Sequence, residues 1–288
     1  MGPRFLFVAL NPNLYLKKLV HHLMRRSVFT TLLFLVVLGI LIISCNKKVE
    51  VVDTDYQKER LTELIMPLEK GKYITYRLDS TVFTNFGRNT EIHSYLVKHI
   101  VDTSITDNLG RPGYRIYTYL SDTTGTQPWQ PNGTYSITLF DDHVEVIEDN
   151  MRVIKLVVPV RDGTQWKGNN YLAEDPYGSE YSFSNDDNMA DWEFHFDGPV
   201  QSTVTVQDQT YNDVYTITEN DDTDPVTDPS DYGSASISRE MYSKNVGLVF
   251  RELTLWEQQP NPTGNPPNII YDPFRVGFGI KMWMVDHN

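Results

Sequence analysis

From Lys72 to its end, the protein is a succession of short β-type segments cut by Gly, Pro, Asn and Asp, with no helical rhythm between them. Runs rich in Tyr, Thr, Val and Ile occupy residues 72–78, 91–101, 114–120, 136–140 and 143–147, with Asp141-Asp142 as a two-residue hairpin turn between the last two. Residues 151–158 follow and stop at Pro159, and further strand candidates lie at 192–196, 202–206, 214–218, 236–242, 246–256 and 277–285. Parallel sheets need long crossovers, usually helical, and none is visible. The pattern predicts an all-β, mostly antiparallel fold: a strongly curved sheet or half-barrel, with a β-sandwich as the alternative. No repeat recurs at a fixed period.

Two stretches read as loops. Residues 220–231 are acidic and broken by Pro225 and Pro229, and residues 258–273 carry five prolines, a density that keeps them out of a central strand. Near the start of the β region, residues 60–66 suit a short helical turn limited by Pro67.

The segment ahead of all this has a different character. Residues 28–44 are almost wholly apolar and follow Arg25 and Arg26. A positive region, an apolar run and a small residue at the end define a secretory signal, and the run falls short of a comfortable membrane span of about 20 residues. It ends in Ile42-Ile43-Ser44-Cys45, and Cys45 is the single cysteine of 288 residues. A lone cysteine cannot staple an exported fold internally. The tetrapeptide resembles the lipobox of bacterial lipoproteins. That resemblance implies a diacylglycerol on the Cys45 thiol, cleavage before it and acylation of the new amino group, with palmitate a typical acyl group. Two or three acyl groups hold a protein stably where one does so only marginally.

The expected organisation is an upstream extension or long n-region over 1–23, a signal peptide with its helix over 24–44, a tether over 45–60 and a single β domain over 61–288. Met24, just before Arg25-Arg26, is the expected initiator. Residues 1–44 hold five basic and no acidic residues, so cleavage leaves 20 basic against 38 acidic side chains, a net charge of −18. Such a surface repels phosphate backbones, which disfavours nucleic acid as a partner.

Three segments of the β region carry a second resemblance. Pro67-Leu68-Glu69-Lys70-Gly71-Lys72-Tyr73-Ile74-Thr75-Tyr76 is similar to an opening motif P-L-x-x-G-x-x-W/I-x-Y. Gly163-Thr164-Gln165-Trp166-Lys167-Gly168-Asn169 is similar to a central turn motif, G-x-x-W-x-G-N. Residues 242–252 resemble a segment Y-A-x-G-V-G-L-V-x-x-E, with Asn245 where glycine is common. Together they resemble a group of outer-membrane lipoproteins of Bacteroidetes-type bacteria. The resemblance implies an outer-membrane location and brings no activity with it. Asn tolerates positive φ better than most residues, so the turn at Asn245 is expected to survive. Physically these motifs read as architecture: Gly71 and Gly247 for turns or close approach, Trp166, Tyr73 and Tyr76 for buried area.

Chemical constellations are sparse. His93, His99, His143, His195 and His287 show no metal-binding spacing. The acidic runs 185–188 and 220–231 lack the glycine and spacing of a calcium loop. No cofactor is expected, no G-x-S-x-G elbow occurs, and no catalytic residue is assigned. Glu193 and Asp197, around Trp192 and Phe194, are the least poor pair for a glycosidase. Trp129, between Pro128 and Pro131, is expected to be exposed and is the candidate for ligand stacking, whereas Trp256 and Trp283 are expected in the core. The sequence thus points to a lipid-anchored envelope protein, on the periplasmic face of the outer membrane, with a non-enzymatic binding or assembly role. Its partners would be the membrane through Cys45 and a glycan, lipid or envelope protein. An extracytoplasmic glycan hydrolase is the alternative.

Overall fold

A computed structural model describes residues 54–183 and 188–288. The signal segment, Cys45 and most of the acidic run 185–188 lie outside the described residues. Helix α1 (Thr54–Leu64) leads in, beginning earlier than the turn expected at residue 60. It buries Leu61 and Leu64, three positions apart on one face, and continues with Ile65 and Met66 into the core. Lys58 pairs with Asp141, Arg60 with the Tyr215 hydroxyl, and the Glu63 carbonyl accepts from the Asn245 amide at 2.6 Å.

The strands follow as β1 (Tyr73–Thr84), β2 (Asn89–Thr106), β3 (Pro112–Ser121), β4 (Gln130–Leu139), β5 (His143–Glu148) and β6 (Met151–Val157). After a short β7 (Gln165–Trp166) come a one-turn helix α2 (Gly178–Tyr181), β8 (Phe194–Phe196), β9 (Gln201–Val206), β10 (Gln209–Asp224), β11 (Gly233–Ser243), β12 (Gly247–Gln259), β13 (Pro262–Asn265), β14 (Asn268–Tyr271) and β15 (Phe274–His287). Thirteen of these strands form one antiparallel sheet in the order β6-β5-β4-β3-β2-β1-β15-β12-β11-β10-β8-β7, with β9 attached to β10. The sheet curls almost into a barrel, as the curved-sheet reading expected, and the sandwich alternative falls. The last strand ties the two halves together: β15 lies between β1 and β12.

Antiparallel alternation sends every second side chain inward. Ile74, Tyr76, Val101, Ile116, Ile137, Val144, Leu156, Ile217 and Met282 meet the α1 residues in the main core. The core therefore sits at the end of the barrel that α1 plugs. Bulges break the alternation at several points, among them Val144/Glu145, Met241/Tyr242 and the step around Glu219.

Both loop expectations need correction. Asn220 to Asp224 continue β10, because their backbone pairs with Ser234 to Ser238 of β11 despite the acidic side chains. The proline-rich stretch stays out of the main sheet but folds into a ribbon, β13 against β14, turned at Pro266-Pro267. Its prolines sit at the ribbon's end and turn, where a missing N–H costs no ladder bond. Trp256 and Trp283 are half-buried rather than core residues. Trp256 faces out from β12, with the Arg275 guanidinium 4.4 Å from its ring centre.

Two motif residues behave as the sequence suggests. Asn245 adopts φ 64° in the turn before β12. Gly247, at φ 107°, lets the backbone pass so close to α1's exit that a Cβ there would lie 2.6 Å from the Met66 nitrogen.

Candidate functional site

The two ends of the sheet meet at one residue. Ile154 on β6 donates its amide to the Gly168 carbonyl at 2.9 Å, and its carbonyl accepts from the Trp166 indole N–H at 2.8 Å. The Gly163–Asn169 motif thus seals the seam. A Cβ on Gly168 would strike the Phe194 ring at 2.2 Å, so only glycine lets this strand approach.

Sealed at the seam and plugged by α1 below, the barrel is open at the opposite end, where a cavity of about 1190 Å³ enters the lumen. Its mouth is framed by Phe83 and Phe86 at the β1–β2 hairpin, Asp149 at the β5–β6 turn, and Glu180 and Tyr181 on α2. Tyr181 and Tyr177 pack on Phe278 with ring centres 4.2 and 5.0 Å away. Deeper, the wall mixes Leu78, Leu253 and Met282 with polar groups: Ser80, His99, Thr118 and Asn132 come from four successive strands, β1 to β4.

Charged side chains lie at the bottom of the cavity: Glu148 and Arg251 line it, and Lys155, Glu219 and Glu240 line the smaller spaces that adjoin it. Lys155 on β6 reaches Glu219 and Glu240, both at 2.8 Å. Glu219 is the extra residue of the β10 bulge, and bulges re-aim side chains in this way. Its second oxygen accepts from the Ser238 hydroxyl at 2.6 Å, and the Tyr242 hydroxyl donates to Glu240 at 2.6 Å. Arg251 on β12 lies 3.5 Å from Glu240 and 3.4 Å from Glu148 on β5. Burial pushes the Lys155 ammonium down and the Glu240 carboxyl up. The paired charges outweigh it, so Lys155 ends above and Glu240 below its ordinary value. Both remain ionised at neutral pH.

His99 sits above this floor, edge-on to Tyr76 and Tyr135, with Nδ1 3.0 Å from the Tyr135 hydroxyl. Burial holds its pKa down to about 4, so the ring is neutral.

A side chamber of about 50 Å³ opens off the lumen and shares Glu148, Tyr177, Arg251 and Leu253 with it. Asn169 from the seam motif and Trp192 also line it. Trp192 is 5% exposed, and its indole N–H has no acceptor among the described residues.

The sequence-derived candidates lie elsewhere. Trp129 is half-buried just before β4 rather than exposed, with the Lys98 ammonium of β2 4.7 Å from its ring centre. Glu193 and Asp197 flank β8 on its exposed side, since Phe194 and Phe196 take the inward positions. They are not brought together in the lumen. Among the described residues, no three carboxylate or imidazole groups converge as metal ligands. Reading the sequence misses Glu148 and Arg251, which line the cavity, and the Lys155, Glu219 and Glu240 cluster that adjoins it. The signal available was charge placed at inward positions of apolar strands, as in Met151–Val157.

No protein-family model matches this sequence, and no curated protein does. Among solved structures it is similar to a Bacteroides fragilis protein described as exported and as having a YmcC-like fold. The likeness covers 78% of this protein and 100% of that one, at 10% identity and a TM-score of 0.29. At that level it bears on neither ligand nor activity.

Proposed function

We propose that this protein is a lipid-anchored component of the bacterial outer membrane, on its periplasmic face, that holds a ligand in the barrel lumen without transforming it. The observation that carries the binding role is the cavity of about 1190 Å³, larger than the roughly 300–1,000 Å³ of ordinary small-molecule sites. The anchor rests on the sequence before Cys45.

A hydrolytic role has less support. A glycosidase needs a carboxylic acid kept protonated by a raised pKa. Glu240 is held the other way, by Lys155 and Arg251, and Glu148 faces the same guanidinium.

The test is a Val82→Cys variant of the full-length protein, labelled at the mouth with an environment-sensitive fluorophore and titrated with lipid and oligosaccharide fractions of the cell envelope. A saturable response, with the bound compound recovered intact, is expected. No response to any fraction would overturn the binding role, and recovery of cleaved products would replace it with catalysis.

A further inference from the structure

The chemistry of the lumen narrows what fits there; this step rests on the binding role proposed above. The charged lining of the cavity is three carboxylates, Glu148, Asp149 and Glu180, and two guanidiniums, Arg251 and Arg275. An anionic ligand would meet a net negative wall, and a cationic one would meet the Arg251 and Arg275 guanidiniums. Neither sign of charge is welcome. A fatty acyl group fits no better, because it would cover Ser80, Thr118 and Asn132 on the wall without satisfying them.

What the floor offers is donors and acceptors side by side. Arg251 contacts Glu148 only at 3.4 Å, longer than a good charge-assisted bond, so this pair keeps capacity for a guest. The Trp192 N–H is buried beside them without an acceptor, a state that costs about 1–3 kcal/mol unless a guest or water supplies one. A hydroxyl both donates and accepts, so a row of hydroxyls suits a Glu–Arg pair next to an indole N–H. At the mouth, the exposed Tyr181 presents a ring on which the C–H face of a sugar can pack.

We propose that the lumen binds a neutral oligosaccharide, with hydroxyls on Arg251, Glu148 and the Trp192 N–H and a pyranose face against Tyr181. The cavity volume suits an oligomer rather than one sugar unit.

The experiment is calorimetric titration of the full-length protein with three probes: neutral oligosaccharides released from the producing cell's envelope, the acidic oligosaccharides of the same digest, and palmitate. The neutral pool should bind, and the other two should not. Trp192→Phe keeps an aromatic ring there and removes the N–H, and should weaken binding about fivefold. Tyr181→Ala removes the exposed ring at the mouth and should weaken it about tenfold. Binding of palmitate or of the acidic pool in place of the neutral one would overturn the saccharide assignment. Neutral binding indifferent to both variants would overturn the site. A response of the Val82→Cys fluorophore to lipid fractions alone would remove the saccharide and leave the binding role standing, whereas silence from every fraction would remove both.

Discussion

The Trp166 indole donates to the Ile154 carbonyl at 2.8 Å, across the seam between the first and last strands of the sheet path. The two ends of the sheet path are joined there, once by this side chain and once by the Ile154 amide to Gly168. Open edges invite pairing with other molecules. Trp166→Phe keeps most of the packing against Phe194 and Phe196 but leaves that carbonyl unmatched. It should cost about 1–3 kcal/mol in urea unfolding. Amide exchange of β6 and β7 should accelerate more than that of β1 and β15; equal acceleration throughout would contradict a local seam.

Lys155 on β6 holds two carboxylates, Glu219 of β10 and Glu240 of β11. Lys155→Met leaves Glu219 and Glu240 buried without their shared cation and should cost about 3–5 kcal/mol. Adding Glu219→Gln and Glu240→Gln to it should recover part of that loss, since the burden is uncompensated charge rather than lost packing. Additive damage across the three positions, read from denaturant midpoints, would refute the network.

His99 is neutral when folded, with a pKa of about 4 against an ordinary 6.5, as burial disfavours its charged form. The unfolded state therefore takes up a proton first as pH falls. Stability from this group is complete above about pH 6.5 and declines down to about pH 4, by at most about 3 kcal/mol. Glu240 acts in the same direction lower down, because its depressed pKa favours folding above the unfolded carboxylate range and that gain fades as the group protonates. His99→Gln should flatten the pH 4–6.5 portion of the unfolding profile. Parallel profiles for the two proteins would rule out the buried neutral ring.

Lipid attachment predicts its own loss. Cys45→Ser should abolish incorporation of labelled palmitate and release the protein from the membrane fraction, while the circular dichroism of the β domain stays unchanged. Membrane retention without label would point to an uncleaved signal anchor instead.

Local features are legible in residue type and immediate neighbours. Strand segments, the Asp141-Asp142 turn between β4 and β5, positive φ at Asn245 and close approach at Gly247 are all of this kind. The curved antiparallel sheet follows from the same alternation and the lack of crossovers. Which charged residues face inward, and which residues close the barrel, emerge only when distant strands meet. Lys155 lies 64 and 85 positions from its two carboxylates, and bulges such as the one at Glu219 shift the inward phase without a residue-level signature. The end of β10 and the proline ribbon escape a residue-level reading for a related reason: backbone pairing with another strand outweighs the local preference of acidic and proline-rich segments. The lumen belongs to the sheet's coiling, which brings β6 to β7 and turns rows of alternating side chains into the wall of one cavity.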